Sequence, residues 1–219
     1  MPERDTLELV AACLEYPSAQ TPALARRAAE RTASDHIALA RALWDLAVWL
    51  ETAPISEAEE RYTALFDLDP VCTLHVGYQV FGDTYPRGAF IANMARELRQ
   101  AGVGRGSDLP DFLPVVLRLL AVTGADEAEP LLEVVVRPAL AKMSQALSGS
   151  RSPWSDVIRA VPELLGGLGD TTAPAVSRID PEDSRSQGTS GRAGQTGAAT
   201  QRSRTVHEPD AAGLMNGPG

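Results

Sequence analysis

The chain has 219 residues, a formal charge of -9 and 44% hydrophobic residues. That acidity disfavours nucleic-acid phosphate and anionic lipid as main partners and favours encounter with a basic polypeptide. No apolar run is long enough to span a bilayer, and the acidic M-P-E-R-D-T start is unlike a secretory signal, so a cytoplasmic location is expected.

In chain order, Asp5 is expected to cap a helix over 6–16, stopped by Pro17. Thr21-Pro22 opens a second helix to about Arg31. Asp35 should cap a third over 36–52. Ile37, Leu43, Trp44 and Leu50 mark one of its apolar faces, and Leu39, Leu46 and Trp49 mark the other. Ser56 and Glu59 have capping-box spacing for a helix through Phe66.

Leu74, Val76, Tyr78 and Val80 alternate like a strand, but nothing nearby offers a partner. A short helix or an extended, packed connector is expected there. Thr84 should cap a helix over 85–101 that ends at Gly102. Asp108-Leu109-Pro110 reads as the start of a helix to Thr123. A longer helix over 127–147 should kink or split at Pro138. Ser152-Pro153 opens the last, over 153–165.

The fold class expected is therefore all-α: a single helical bundle with one irregular connector. Residues 1–168 form the helical domain. The segment 169–219 is rich in Gly, Ser, Thr and Ala and is expected to be a disordered C-terminal tail. Six acids and five arginines beyond Gly169 leave eight of the nine negative charges on the domain.

The chemistry of an enzyme is hard to find. Cys13 and Cys72 lack the spacing of a zinc or redox motif and read as buried thiols. His75 has no metal-ligand partner at helical or turn spacing and reads best as a partly buried imidazole bonded to backbone, with peptide contact left open. Gly102, Gly104 and Gly106 follow a helix rather than a strand and make a turn, not a phosphate loop. Asp108 and Asp111 fit the first turn of a helix, where the macrodipole favours carboxylates, although Asp111 could also face a groove. Arg87 could bridge to Asp83 across one turn. Tyr62, Phe66, Tyr78 and Phe81 could equally be core: an aromatic at helical spacing is more often core than contact, so only the exposed edges of this set are candidates.

Several motifs, in order and spread over about residues 7 to 165, resemble one family. They are L-E-Y-P at Leu14–Pro17, E-R-Y-x-x-L-F-D-L at Glu60–Leu68, L-H at Leu74-His75, G-D-x-x-x-R-G at Gly82–Gly88 and L-P-D-x-L-P at Leu109–Pro114. Together they resemble the nitrate reductase molybdenum cofactor assembly chaperones, the NarJ family. The chain departs from that pattern at Tyr78-Gln79, where the family often has an acidic residue or histidine, and at Phe112, where it often has histidine or tyrosine.

The resemblance implies a non-catalytic, system-specific chaperone without a cofactor or metal of its own. Its partner would be the apo catalytic (alpha) subunit of respiratory nitrate reductase, bound through that subunit's N-terminal segment. The candidate client-binding residues are Tyr62, Phe66, His75, Tyr78, Asp83, Arg87, Asp108, Asp111, Leu113 and Val116. Leu113, Val116 and the exposed edges of Tyr62 and Tyr78 would give apolar contact in a groove between helices; Asp83, Asp108 and Asp111 would orient a basic peptide. Three alternatives stay open: a related chaperone for a dimethyl sulfoxide or formate-oxidising enzyme, a helical adaptor, and a small helical enzyme.

Overall fold

The computed structural model describes residues 2–68 and 71–166. The chain divides into two units, Met1–Ala175 and Val176–Gly219, and the second lies wholly outside the described residues. So do the expected boundary at 168 and the tail 169–219.

The described residues are helical with no named strand, as expected of an all-α bundle. The helices are α1 (Pro2–Cys13), α2 (Thr21–Thr32), α3 (Ile37–Thr52), α4 (Ile55–Phe66), α5 (Val76–Phe81), α6 (Tyr85–Ala101), α7 (Leu113–Val122), α8 (Ala125–Leu131), α9 (Arg137–Ala146) and α10 (Pro153–Gly166). A π-helical turn, Leu132–Val136, joins α8 to α9. It ends two residues before Pro138, whose missing N–H removes one i→i−4 bond, and the backbone accommodates the defect as a wider turn.

α3 packs against α2 and α10, and α1 against α7. Leu39, Leu43, Leu46 and Ala47 of α3 are fully buried there with Leu7, Val10, Leu113, Leu117 and Trp154. The face predicted for α3 is rotated: Ile37 and Trp44 lie outside, 73% and 45% exposed. Trp44 instead receives the Arg26 guanidinium, 4.4 Å from its ring centre.

Four expected helix starts are corrected. α1 begins before Asp5, which lies inside the helix with its carboxylate 3.3 Å from Arg31. α3 follows His36 rather than Asp35. α4 follows Pro54 with no side-chain cap, so the Ser56–Glu59 capping box does not form. The helix expected from Asp108 starts at Leu113, because Phe112 before it is extended, held by the backbone bonds of Asp111 and Leu113 to another segment. α6 runs as predicted to Gly102, whose φ of 68° is the left-handed conformation that closes a helix.

Candidate functional site

The site is built where three connections meet. The Leu14–Pro17 turn after α1 is fixed from below. Trp154 Nε1 donates to the Cys13 carbonyl at 3.1 Å, and the Tyr62 hydroxyl donates to the Leu14 carbonyl at 2.7 Å. The two rings pack edge to face at 5.5 Å, and Tyr62 contacts Phe66 and Tyr16 in the same manner.

The irregular connector lies opposite. Leu74-His75 is extended and pairs with Phe112: the Val76 amide donates to Asp111 O at 2.8 Å, and the Leu113 amide donates to Leu74 O at 2.9 Å. The strand-like alternation thus has a partner after all, one bridge long, before the chain turns into α5. Gln79 Nε2 donates back to Thr73 O at 2.8 Å and closes the connector.

Between these walls is a cleft of about 420 Å³ lined by Glu15, Tyr16, Tyr62, Phe66, Asp67, Leu74, His75, Asp108 and Phe112. Its walls are aromatic and its rim is acidic. Burial, and after it the carboxylates of Glu15, Asp108 and Asp67, push the Tyr62 phenol far above its ordinary range. Burial is the larger cause, and the three carboxylates add a negative field to it. Glu15 is held by Arg118 on α7 at 2.6 Å, with Glu8 3.7 Å from the same guanidinium. Tyr16, which lines the cleft, is 54% exposed, and Leu68 and Leu109, next in sequence to the rim acids Asp67 and Asp108, are 72% and 45% exposed.

Asp111 is the buried centre of the second half of the site. Its Oδ1 lies 3.1 Å from His75 Nδ1, and its Oδ2 accepts from Arg87 Nε at 3.0 Å, with the carboxylate fully buried. Burial alone would raise its pKa, but the bonds from His75 and Arg87 outweigh it and hold the carboxyl below the usual range. An ionised carboxylate only accepts, so the imidazole proton facing it sits on Nδ1. Gly77 of α5 makes the cluster possible: a Cβ there would stand 2.8 Å from Asp111 Oδ2 and 2.9 Å from a Phe90 ring carbon.

The ten predicted site residues therefore separate. Tyr62, Phe66, His75 and Asp108 line the cleft together. Tyr62 and Phe66 are 5% and 6% exposed, so they offer only ring edges. Leu113 and Val116 are fully buried, because the apolar face of α7 packs on α1; they are not available to a client. Asp111 is also closed to a client, and its structural role is a buried charge cluster rather than a helix N-terminus. Arg87 joins Asp111, not Asp83, and carries its guanidinium 5.4 Å from the ring centre of half-exposed Tyr78. Asp83 is exposed in the turn before α6. His75 bonds a carboxylate rather than the backbone.

Glu15, Tyr16, Asp67, Leu74 and Phe112 complete the cleft and were not among the predicted residues. The L-E-Y-P, F-D-L and L-P-D-F motifs each contain one or two of them, and that was the available signal.

Other chemistry is sparse. Among the described residues no three His, Cys, Asp or Glu side chains are grouped to hold a metal. Burial pushes the Cys72 thiol up to about 11 and the Cys13 thiol up to about 12, which makes both poor nucleophiles at neutral pH. No helix among the described residues is long and apolar enough to cross a membrane.

The sequence profile of the family described as nitrate reductase delta subunit matches residues 25–160. The Mycobacterium tuberculosis protein NarX, described as nitrate reductase-like, is 34% identical over 125 residues, 55% of this chain and 19% of NarX. The Escherichia coli K12 protein NarW, described as a nitrate reductase molybdenum cofactor assembly chaperone, is 27% identical over 140 residues, 62% of this chain and 60% of NarW. The matched stretches thus span less than two thirds of either relative. A solved structure described as a redox enzyme maturation protein from Archaeoglobus fulgidus superposes with a TM-score of 0.53 at 20% identity, covering 74% of this chain and 93% of that one, and so shares the fold. The profile match takes in more than half of the sequence and includes most of the motifs on which the resemblance rests: the chain belongs to the nitrate reductase delta subunit family.

Proposed function

We propose that this protein is a maturation chaperone for the respiratory nitrate reductase. It binds the apo catalytic subunit, through that subunit's N-terminal segment, and keeps it competent for molybdenum cofactor insertion and for assembly with its partner subunits. The observation that carries this reading is the cleft: aromatic walls between α4 and the 108–112 segment, with Glu15, Asp67 and Asp108 at its rim. Family membership and the likeness to NarW support it.

The cleft suits a short amphipathic segment. An apolar side chain enters against Tyr62, Phe66 and Phe112, while a lysine or arginine beside it meets the carboxylate rim. The exposed part of Tyr16 extends the apolar contact at the mouth. A chaperone must let go of its client, which suits micromolar to submicromolar affinity, about -8 to -10 kcal/mol. The role is non-catalytic, is played in the cytoplasm, and needs no cofactor held by the chaperone itself. The helical domain, 1–168, carries it.

The test is genetic and chemical together. In a strain lacking this gene, the catalytic subunit should accumulate without molybdenum cofactor, and nitrate reductase activity should fall. A fully loaded, active reductase in that strain would refute the proposal. Loss of a different molybdoenzyme's cofactor instead would transfer the same role to another client.

A further inference from the structure

α6 is weakly held for a helix of its length. Of its 17 residues only Met94 and Leu98 are buried, and its neighbours are chiefly α5 and α7. It is bracketed by Gly82, with φ of 66°, and Gly102, with φ of 68°. Both are places where backbone rotation meets no Cβ, since nothing stands within 4 Å of where one would be. Its other inward groups are Phe90, packed at 5.6 Å against Phe81, and Arg87. Arg87 is the only charged tie from α6 to buried structure among the described ion pairs, and it ends on Asp111.

Asp111 divides its two oxygens between different places. Oδ2 takes the bond from Arg87 on α6, and Oδ1 takes the one from His75, whose ring lines the cleft and is 29% exposed. One carboxylate therefore joins the wall of the cleft to the seating of the helix.

We propose that α6 is an arm hinged at Gly82 and Gly102, latched by Arg87 on Asp111, and that filling the cleft tightens the latch through His75. An occupant covering the exposed part of His75 removes water from the imidazole–carboxylate pair. Charge-assisted bonds in the cluster then strengthen, and the imidazole fixes the carboxylate in the position Arg87 requires. With the latch open, the edges of Phe90, Met94 and Leu98 come into water, so the empty chaperone shows apolar surface that the loaded one conceals. The coupling rests on the cleft being the client site; the hinge and latch do not.

Hydrogen exchange on the full chain, followed by mass spectrometry, separates the two. In the peptide-free protein, amides of 85–101 should exchange together and faster than those of α3, α7 and α10. Arg87→Met should speed the arm by at least about tenfold, the equilibrium factor of one charge-assisted hydrogen bond, with the arm still faster than α3 and α10, whose amides shift at most by the fall in overall stability. If Arg87→Met does not fold, Arg87→Lys, which keeps the charge but not the planar fork, should speed the arm to a smaller degree. Exchange of the arm at the rate of the core, or an arm whose exchange Arg87→Met leaves unchanged, would overturn the latch.

The second arm adds a synthetic 20-residue peptide from the N-terminus of the nitrate reductase catalytic subunit. It should slow exchange over 85–101 in the wild type and fail to do so in the Arg87 variant. Peptide that binds by calorimetry yet leaves α6 unchanged would overturn the coupling alone. Peptide that does not bind would overturn the cleft reading and the coupling with it, while the peptide-free comparison still decides the latch.

Discussion

Replacing Asp111 by alanine removes a carboxylate that is fully buried and bonded on both oxygens. Arg87, with a side chain only 16% exposed, then keeps its charge with no acceptor, and His75 loses its partner. Breaking a buried pair by deleting one member costs about 3–5 kcal/mol, because the surviving charge stays desolvated. For a folded region of this size about 1 kcal/mol corresponds to roughly 2–4 °C, so the melting temperature should fall by about 6–20 °C. Arg87→Met in the same background should recover part of the loss, since it removes the orphaned charge and leaves an apolar side chain of similar length. The assay is thermal unfolding of the four members of the double-mutant cycle by circular dichroism, at one pH and salt concentration. A cost of well under 1 kcal/mol for Asp111→Ala is what a solvated carboxylate in a helix's first turn would show. That result, or strict additivity of the two substitutions, would refute the buried cluster.

Three further outcomes follow from the same geometry. Gly77→Ala should destabilise by about 1–3 kcal/mol in denaturant unfolding, because its methyl would meet Asp111 Oδ2 at 2.8 Å and the Phe90 ring at 2.9 Å. Asp111 is held below its unfolded value, so its contribution is complete above the unfolded aspartate pKa of about 3.9 and is lost as pH falls through the depressed folded value. The melting-temperature gap between wild type and Asp111→Asn should therefore be constant from pH 5 to 7, about the neutral plateau, and close below about pH 4. Truncation after residue 168 should leave the melting temperature of the helical domain nearly unchanged, since the removed composition offers no core; a fall of many degrees would move the domain boundary.

The helices were largely legible because their punctuation is local. Gly102 ends α6, Pro138 disrupts the 127–147 stretch, and Pro153 opens α10, each through backbone chemistry visible in one or two residues. The site was only half legible, because its contacts are not local. Asp-Leu-Pro-Asp at 108–111 has the composition of a helix start, but it forms a bend and a turn, and the extended Phe112, paired with His75 across 37 positions, delays the helix to Leu113.

Arg87 has an acid four residues before it in Asp83 and a better one 24 residues after it in Asp111. Periodicity favours the first, and burial selects the second. In sequence, the apolar face of Leu113 and Val116 serves a client groove and a core equally well. The packing of α7 on α1 gives that face to the core. Glu15, Asp67 and Phe112 share one cleft because Tyr62 and Trp154 pin the L-E-Y-P turn, a long-range contact with no local signal.

The most direct test of the account is calorimetric titration of the wild-type protein, and of an Asp67→Asn/Asp108→Asn variant, with the catalytic subunit's N-terminal peptide at two salt concentrations. Both residues lie on the rim, and Asp108 is exposed. Wild-type binding is expected in the micromolar to submicromolar range, weakened by salt, with about tenfold weaker binding for the variant and a gap that narrows as salt rises. No heat at about a hundred micromolar peptide with the protein folded, or equal affinity for wild type and variant at low salt, would contradict the assignment of the cleft as the client site.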